Sequence, residues 1–210
     1  MFVVAPDYNA TKGYLELYED TKKVQEKIEV NLGRNGLAHG LGLYHFDQNG
    51  TDPIKHEGDG RGVVGLFELT HVFGYDVALN IHMPYLQATK ELICVDESGS
   101  AYYNQIIHMP KEPPKSYEIM RRDDEQYRAG VVVNHNGAHK SGRGSCIFLH
   151  VYKDKESPTS GCSAMSYEDM QKVVFWLDRE KKPLLLQVTQ RQKEEAIKLY
   201  PFLKKSELWR

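Results

Sequence analysis

The chain has 210 residues, with 27 basic and 29 acidic side chains, a formal net charge of −2 and 40% apolar residues. A chain of this length buries roughly 70% of its unfolded surface, so a single domain over 1–210 needs no metal or disulfide merely to fold. The mixed charge lacks the clustered basic face of a nucleic-acid binder, and no run reaches the ~18 apolar residues of a membrane span.

Met1-Phe2-Val3-Val4-Ala5-Pro6 lacks the charged start, long apolar stretch and cleavage site of a signal peptide. Two locations are therefore open: cytoplasmic, or periplasmic or secreted after removal of a signal. Residues 13–19 alternate in part and Ile28–Leu32 alternate more cleanly, which predicts an antiparallel hairpin around the charged Lys22–Lys27 turn. Gly33-Arg34-Asn35-Gly36 and Gly40-Leu41-Gly42 break regular structure, and the polar, Gly-rich stretch 45–62 reads as a loop. Strand character returns at Val63–Leu69 and at Leu92–Val95, and Lys111–Lys115 with its Pro pair is a breaker. The stretch 75–128 has the look of an insertion able to cap a site, and Arg121–Glu125 within it reads as a solvated loop or helix start.

Val131–Val133 and Cys146–Val151 are the strongest strand signals, short and bulky as central strands are. Ser166-Tyr167-Glu168-Asp169 resembles a capping box, and Met170, Val173, Val174 and Leu177 follow at helical spacing, predicting a helix over 167–179. A strand at Leu184–Val188 and a helix at Gln192–Leu199 complete a mostly β (α+β) pattern.

Cys162 follows Ser160-Gly161 on a predicted tight turn, and His150 ends the apolar strand before it. A thiolate is the attacking form of cysteine, and a neighbouring histidine can take its proton and hold an ion pair. Gly161 would let its own amide and that of Cys162 converge on a developing oxyanion. Spacing alone does not lift this above a buried cysteine in a turn and a histidine satisfied at a strand end. Cys94 and Cys146 sit in apolar settings. Packed, inert thiols are expected there, with a disulfide between them open only for an exported protein. His135 and His139 are i, i+4, yet Asn136-Gly137 between them disfavours a shared helix face, so neither a metal nor another cofactor is expected.

Gly144-Ser145-Cys146-Ile147-Phe148-Leu149-His150, followed by Ser157-Pro158-Thr159-Ser160-Gly161-Cys162-Ser163-Ala164-Met165-Ser166, resembles one branch of the YkuD-like L,D-transpeptidase family. Gly33–Ala38, Gly58-Asp59-Gly60-Arg61, Val64–Phe67, Tyr103-Asn104 and Val133-Asn134 are similar to earlier parts of that family's pattern. The resemblance implies a β-sandwich or barrel with a few helices. It also implies attack on the diaminoacyl-D-Ala bond of peptidoglycan stem peptides through a cysteine acyl-enzyme. On it, Cys162 is the nucleophile, His150 the base and Gly161 part of the oxyanion hole. Ser160, Asn134, His139, Arg143 and Tyr103 are candidates for substrate contacts. Release to water would make the enzyme an L,D-carboxypeptidase. A non-catalytic peptidoglycan-binding module and a cell-wall-degrading toxin are the other readings. Ser160 and Ala164 stand where better-known relatives carry His and Asn or Arg, and Gly62-Val63 where Thr-Pro is usual.

Overall fold

The computed structural model describes residues 1–209. Its strands are β1 (Phe2–Ala5), β2 (Lys12–Glu16), β3 (Tyr18–Glu19), β4 (Lys22–Lys23), β5 (Ile28–Asn31), β6 (Leu37–His39), β7 (Gly62–Gly74), β8 (Tyr85–Gln87), β9 (Leu92–Val95), β10 (Ile106–His108), β11 (Tyr117–Ile119), β12 (Ala129–Val133), β13 (Phe148–Val151), β14 (Ser163–Met165) and β15 (Leu184–Thr189). Of two helices, α1 (Tyr167–Trp176) lies between β14 and β15 and α2 (Lys193–Leu199) follows β15. The fold is mostly β, as the sequence pattern predicts. No helix among the described residues is long and apolar enough to cross a membrane.

Hydrogen bonding runs β7-β12-β13-β14-β5-β2-β1-β15 and returns to β7, closing eight strands into a barrel. The long β7 makes closure possible, because Gly65–Glu68 pair with β15 while Leu69–Gly74 pair with β12. The predicted hairpin is β2 against β5, with Gly13 opposite Val30 and Leu15 opposite Ile28, and the small β3–β4 ribbon forms its tip. Strand β1, which no sequence signal isolates, fills the place between β2 and β15.

Helix α1 begins as its capping pattern predicts: the Ser166 hydroxyl accepts from the Asp169 amide at 3.1 Å. It stops at Trp176 rather than 179, because Leu177 turns extended and a 3-10 turn follows. Met170, Val173 and Val174 are buried against the barrel, each stabilising by about 1.5–3 kcal/mol. The second helix starts one residue late, after a 3-10 turn over Gln190–Gln192.

Two apolar clusters share β13 as their wall. Alternation sends Leu149 and Val151 into the main core and Phe148 to the other side. There Phe148 meets Phe73 and Tyr127 edge to face, at 5.2 and 5.6 Å between centroids. A separate three-stranded sheet, β10-β9-β11, covers this second cluster.

The cysteines depart from expectation. Cys94 and Cys146 form a disulfide across a sequence separation of 52, and Cys162 is the free thiol. The second cluster explains the pairing, since β9 lies against the turn that precedes β13 and all three cysteines are buried there. Cys146 also has a positive φ of 53°, which shortens the predicted strand 146–151 to 148–151.

Thiol titration in denaturant without reductant should find one reactive group per chain; three would refute the bridge. Reduction should lower stability by roughly 4 kcal/mol on loop-entropy grounds, read from denaturant midpoints.

Candidate active site

Strands β13 and β14 run parallel, with Leu149 opposite Ser163 and His150 opposite Ala164. Continuing that register one step back sets Phe148 opposite Cys162. Side chains of register partners share a face, so Phe148, His150, Cys162 and Ala164 all point to one side. Cys162 and His150 both line a groove of about 590 Å³ on that side.

The connection Tyr152–Cys162 is tied down along its length. Asn31 Nδ2 donates to the carbonyls of Asp154 and Ser157, at 3.0 and 2.9 Å. The Thr159 amide donates to the Leu32 carbonyl and the Arg34 amide to that of Thr159, both at 2.8 Å. Gly161 then turns with φ 148°, and a Cβ there would come within 2.9 Å of the Arg61 carbonyl oxygen. Only glycine fits both conditions.

Cys162 is 8% exposed and His150 4%. Burial, helped by the charge of Glu118, pushes the Cys162 thiol up to about 12, against the opposing pull of the Phe148 amide, Lys55 and Arg122. Burial holds the His150 imidazole down to about 4. The resting pair is therefore a neutral thiol and a neutral imidazole, in place of the expected ion pair. Among the described residues no hydrogen bond joins them. Cys162 Sγ accepts from the Phe148 amide at 3.3 Å and donates to the Cys146 carbonyl at 3.5 Å. His150 Nδ1 lies 2.7 Å from the Val151 carbonyl oxygen, which can only accept, so Nδ1 carries the proton and Nε2 the lone pair. The Tyr127 ring packs edge-on against the imidazole at 5.3 Å.

The Gly161 amide donates to Thr159 Oγ1 at 3.1 Å, while that hydroxyl donates to the Cys162 carbonyl at 2.6 Å. It is therefore engaged within the turn and not directed to a convergent oxyanion site with Cys162. Ser160 lines the groove and accepts from Arg34 Nη1 at 2.9 Å. Tyr103 lies one layer behind, donating to Glu57 Oε2, which also accepts from Ser145 at 2.7 Å. The other three candidates are elsewhere. Asn134 donates to Glu68 at 2.9 Å, His139 is an exposed turn residue with φ 53°, and Arg143 donates to the Lys55 carbonyl at 3.3 Å. None of these three lines the groove.

His135 accepts from the Leu41 amide at 3.1 Å and donates to the Arg143 carbonyl at 2.9 Å, so both ring nitrogens are occupied. Among the described residues no three His, Cys, Asp or Glu side chains gather as a metal would require.

Sequence reasoning missed most of the groove's charged lining. Lys55 and Glu57 come from the Gly-rich loop, Asp96 and Glu118 from the covering sheet, and Arg122, Gln126 and Tyr127 from the segment before β12. The stretch 75–128 thus builds one wall. Tyr127 donates to Glu118 at 2.5 Å, and burial raises that carboxyl above the usual range. Arg122 stacks over Tyr127 at 5.1 Å and forks onto Asp124 at 2.9 and 2.6 Å, so the loop predicted as solvated turns one side chain inward. Thr159 was legible as a hydroxyl able to close a turn on its own backbone.

Comparison with known protein families, with curated proteins and with solved structures finds no match.

Three buried histidines, His39, His135 and His150, set a pH dependence. His135 and His150 are held near 4 when folded, against 6.5 for the free side chain, and burial lowers His39 as well, so the unfolded state binds more protons below 6.5. Stability rises with pH through that window and is lost as pH falls from 6.5 toward 4, by on the order of 3 kcal/mol for each of His135 and His150. Denaturant midpoints should drop clearly between pH 7 and pH 4.5. An unchanged midpoint would mean that none of these imidazoles is buried in its neutral form.

Proposed function

We propose that this chain is a cysteine acyl-transfer enzyme acting on peptidoglycan stem peptides, an L,D-transpeptidase with Cys162 as nucleophile and His150 as base. One observation carries the reading: the parallel register that sets a free thiol and an imidazole with an open Nε2 on one face of a groove. The likeness of 144–150 and 157–166 to that family's pattern supplies the substrate class.

The chemistry follows from the geometry. A peptide carbonyl entering the groove displaces water and meets Cys162. The thiol rotates about its Cα–Cβ bond away from the Cys146 carbonyl and gives its proton to His150 Nε2 as the sulfur–carbon bond forms. The Val151 carbonyl keeps the imidazole in the required tautomer and stabilises the imidazolium while it exists. That proton then passes to the departing D-residue amine, leaving a thioester on Cys162. An amine acceptor regenerates an amide and so crosslinks; water gives carboxypeptidation. Because the resting pair is neutral, charge separation happens only with substrate bound.

A second reading, a non-catalytic peptidoglycan-binding module, draws on the thiol's present bonds to Phe148 and Cys146. Incubation with disaccharide tetrapeptide and mass spectrometry separates the two. Loss of one D-Ala or appearance of a dimer is the expected result, while an unchanged mass would defeat both enzymatic outcomes. The variant His150→Ala should lower turnover by ~10²–10⁴-fold while leaving a folded protein. Turnover equal to that of the parent would remove His150 from the mechanism.

A further inference from the structure

The engaged Gly161 amide leaves the oxyanion without one of its expected donors, and the groove wall holds a replacement. Lys55 is 3% exposed and lines the groove. Its backbone amide donates to the His39 carbonyl at 3.0 Å, which fixes the residue to β6. Its stem lies across Gly144, where a Cβ would sit 2.8 Å from Cε and 2.9 Å from Cγ. Gly144 has a φ of 90°, so a side chain there would be both strained and in collision. The stem ends at an ammonium 3.6 Å from the point where a Cβ on Gly161 would be.

That ammonium is held and incompletely used. It pairs with Asp59, whose carboxylate also accepts the Arg61 amide at 2.8 Å and the His56 amide at 2.9 Å. An ammonium has three donors, and Asp59 is the one hydrogen-bond partner of Nζ among the described residues. A buried cation with spare N–H groups, anchored beside the residue preceding the nucleophile, has the chemistry of an oxyanion site.

We propose that Lys55 is the oxyanion donor of the acyl-transfer step, a reading that rests on the assignment of Cys162 as nucleophile. As the bond from Sγ to the carbonyl carbon forms, the π pair moves onto the carbonyl oxygen, and the Lys55 ammonium takes up that negative charge. Collapse returns the pair, breaks the bond to the leaving group and frees Lys55 unchanged. The ion pair with Asp59 keeps the lysine oriented in the free enzyme.

Two reactions of the same thiol test this. Iodoacetamide alkylates Cys162 without building charge on a carbonyl oxygen, whereas p-nitrophenyl acetate acylates it through an oxyanion. Both require Cys162 to give up the same proton, so the ratio of acylation to alkylation rates at one pH cancels the acidity of the thiol. Lys55→Met keeps the stem and removes the cation, and the ratio should fall by about a hundredfold. A ratio unchanged within about threefold overturns the proposal, because Lys55 would then act only on the thiol or on packing. Should Lys55→Met fail to fold, Lys55→Met with Asp59→Asn removes both charges together, and the same ratio decides. Wild-type protein that is acetylated by the ester but leaves the tetrapeptide intact would defeat the peptidoglycan assignment while leaving the role of Lys55 standing.

Discussion

Two strands that run side by side in the same direction cannot be joined by a tight turn. The chain leaving β13 has to travel back outside the barrel before β14 can begin. That detour, Tyr152–Cys162, is the constraint on which the site depends. Asn31, Leu32 and Arg34 at the neighbouring edge grip it by backbone and amide hydrogen bonds, so its end is delivered in one register. Delivery in that register brings Cys162 beside Phe148, one residue pair away from His150 on the same face. A slip by one residue would turn the thiol into the main core.

The second consequence is burial. Phe73, Tyr127 and Phe148 pack around the thiol, and the three-stranded sheet closes over them, fastened by the Cys94–Cys146 bridge. In such surroundings an isolated charge is costly, which is why the thiol and imidazole rest uncharged. The same surroundings make a fixed charge effective. Lys55 pairs with Asp59, which is itself bound by two amides, so the groove wall holds a preorganised cation beside the neutral thiol and imidazole.

Much of the scaffold could be read directly from residue patterns. The β2–β5 hairpin showed in its alternation, helix α1 in its Ser166 cap, and the core of β13 in its unbroken apolar run. Strands β10 and β11 could not be seen, because three partly exposed residues are too few to show a period. The second half of β7 was missed since His71 and Thr70 interrupt its apolar run. The disulfide was unreadable for a different reason. Its partners lie 52 residues apart and meet only once β9 has docked on the turn before β13. At the candidate site, Cys162 and His150 stood out through the motif around them and not through their spacing. Lys55 was not, since a lysine in a polar, Gly-rich stretch reads as solvated, and here it is buried only because Gly144 leaves room for its stem.

The central claim is that Cys162 and His150 work together across the groove, and a short bifunctional alkylator measures it most directly. Treatment with 1,3-dibromoacetone, then digestion and mass spectrometry, should yield one peptide pair bridged by a three-carbon link between Cys162 and His150. Modification of Cys162 with the second arm hydrolysed or attached to another side chain, and no bridge to His150, would contradict the account.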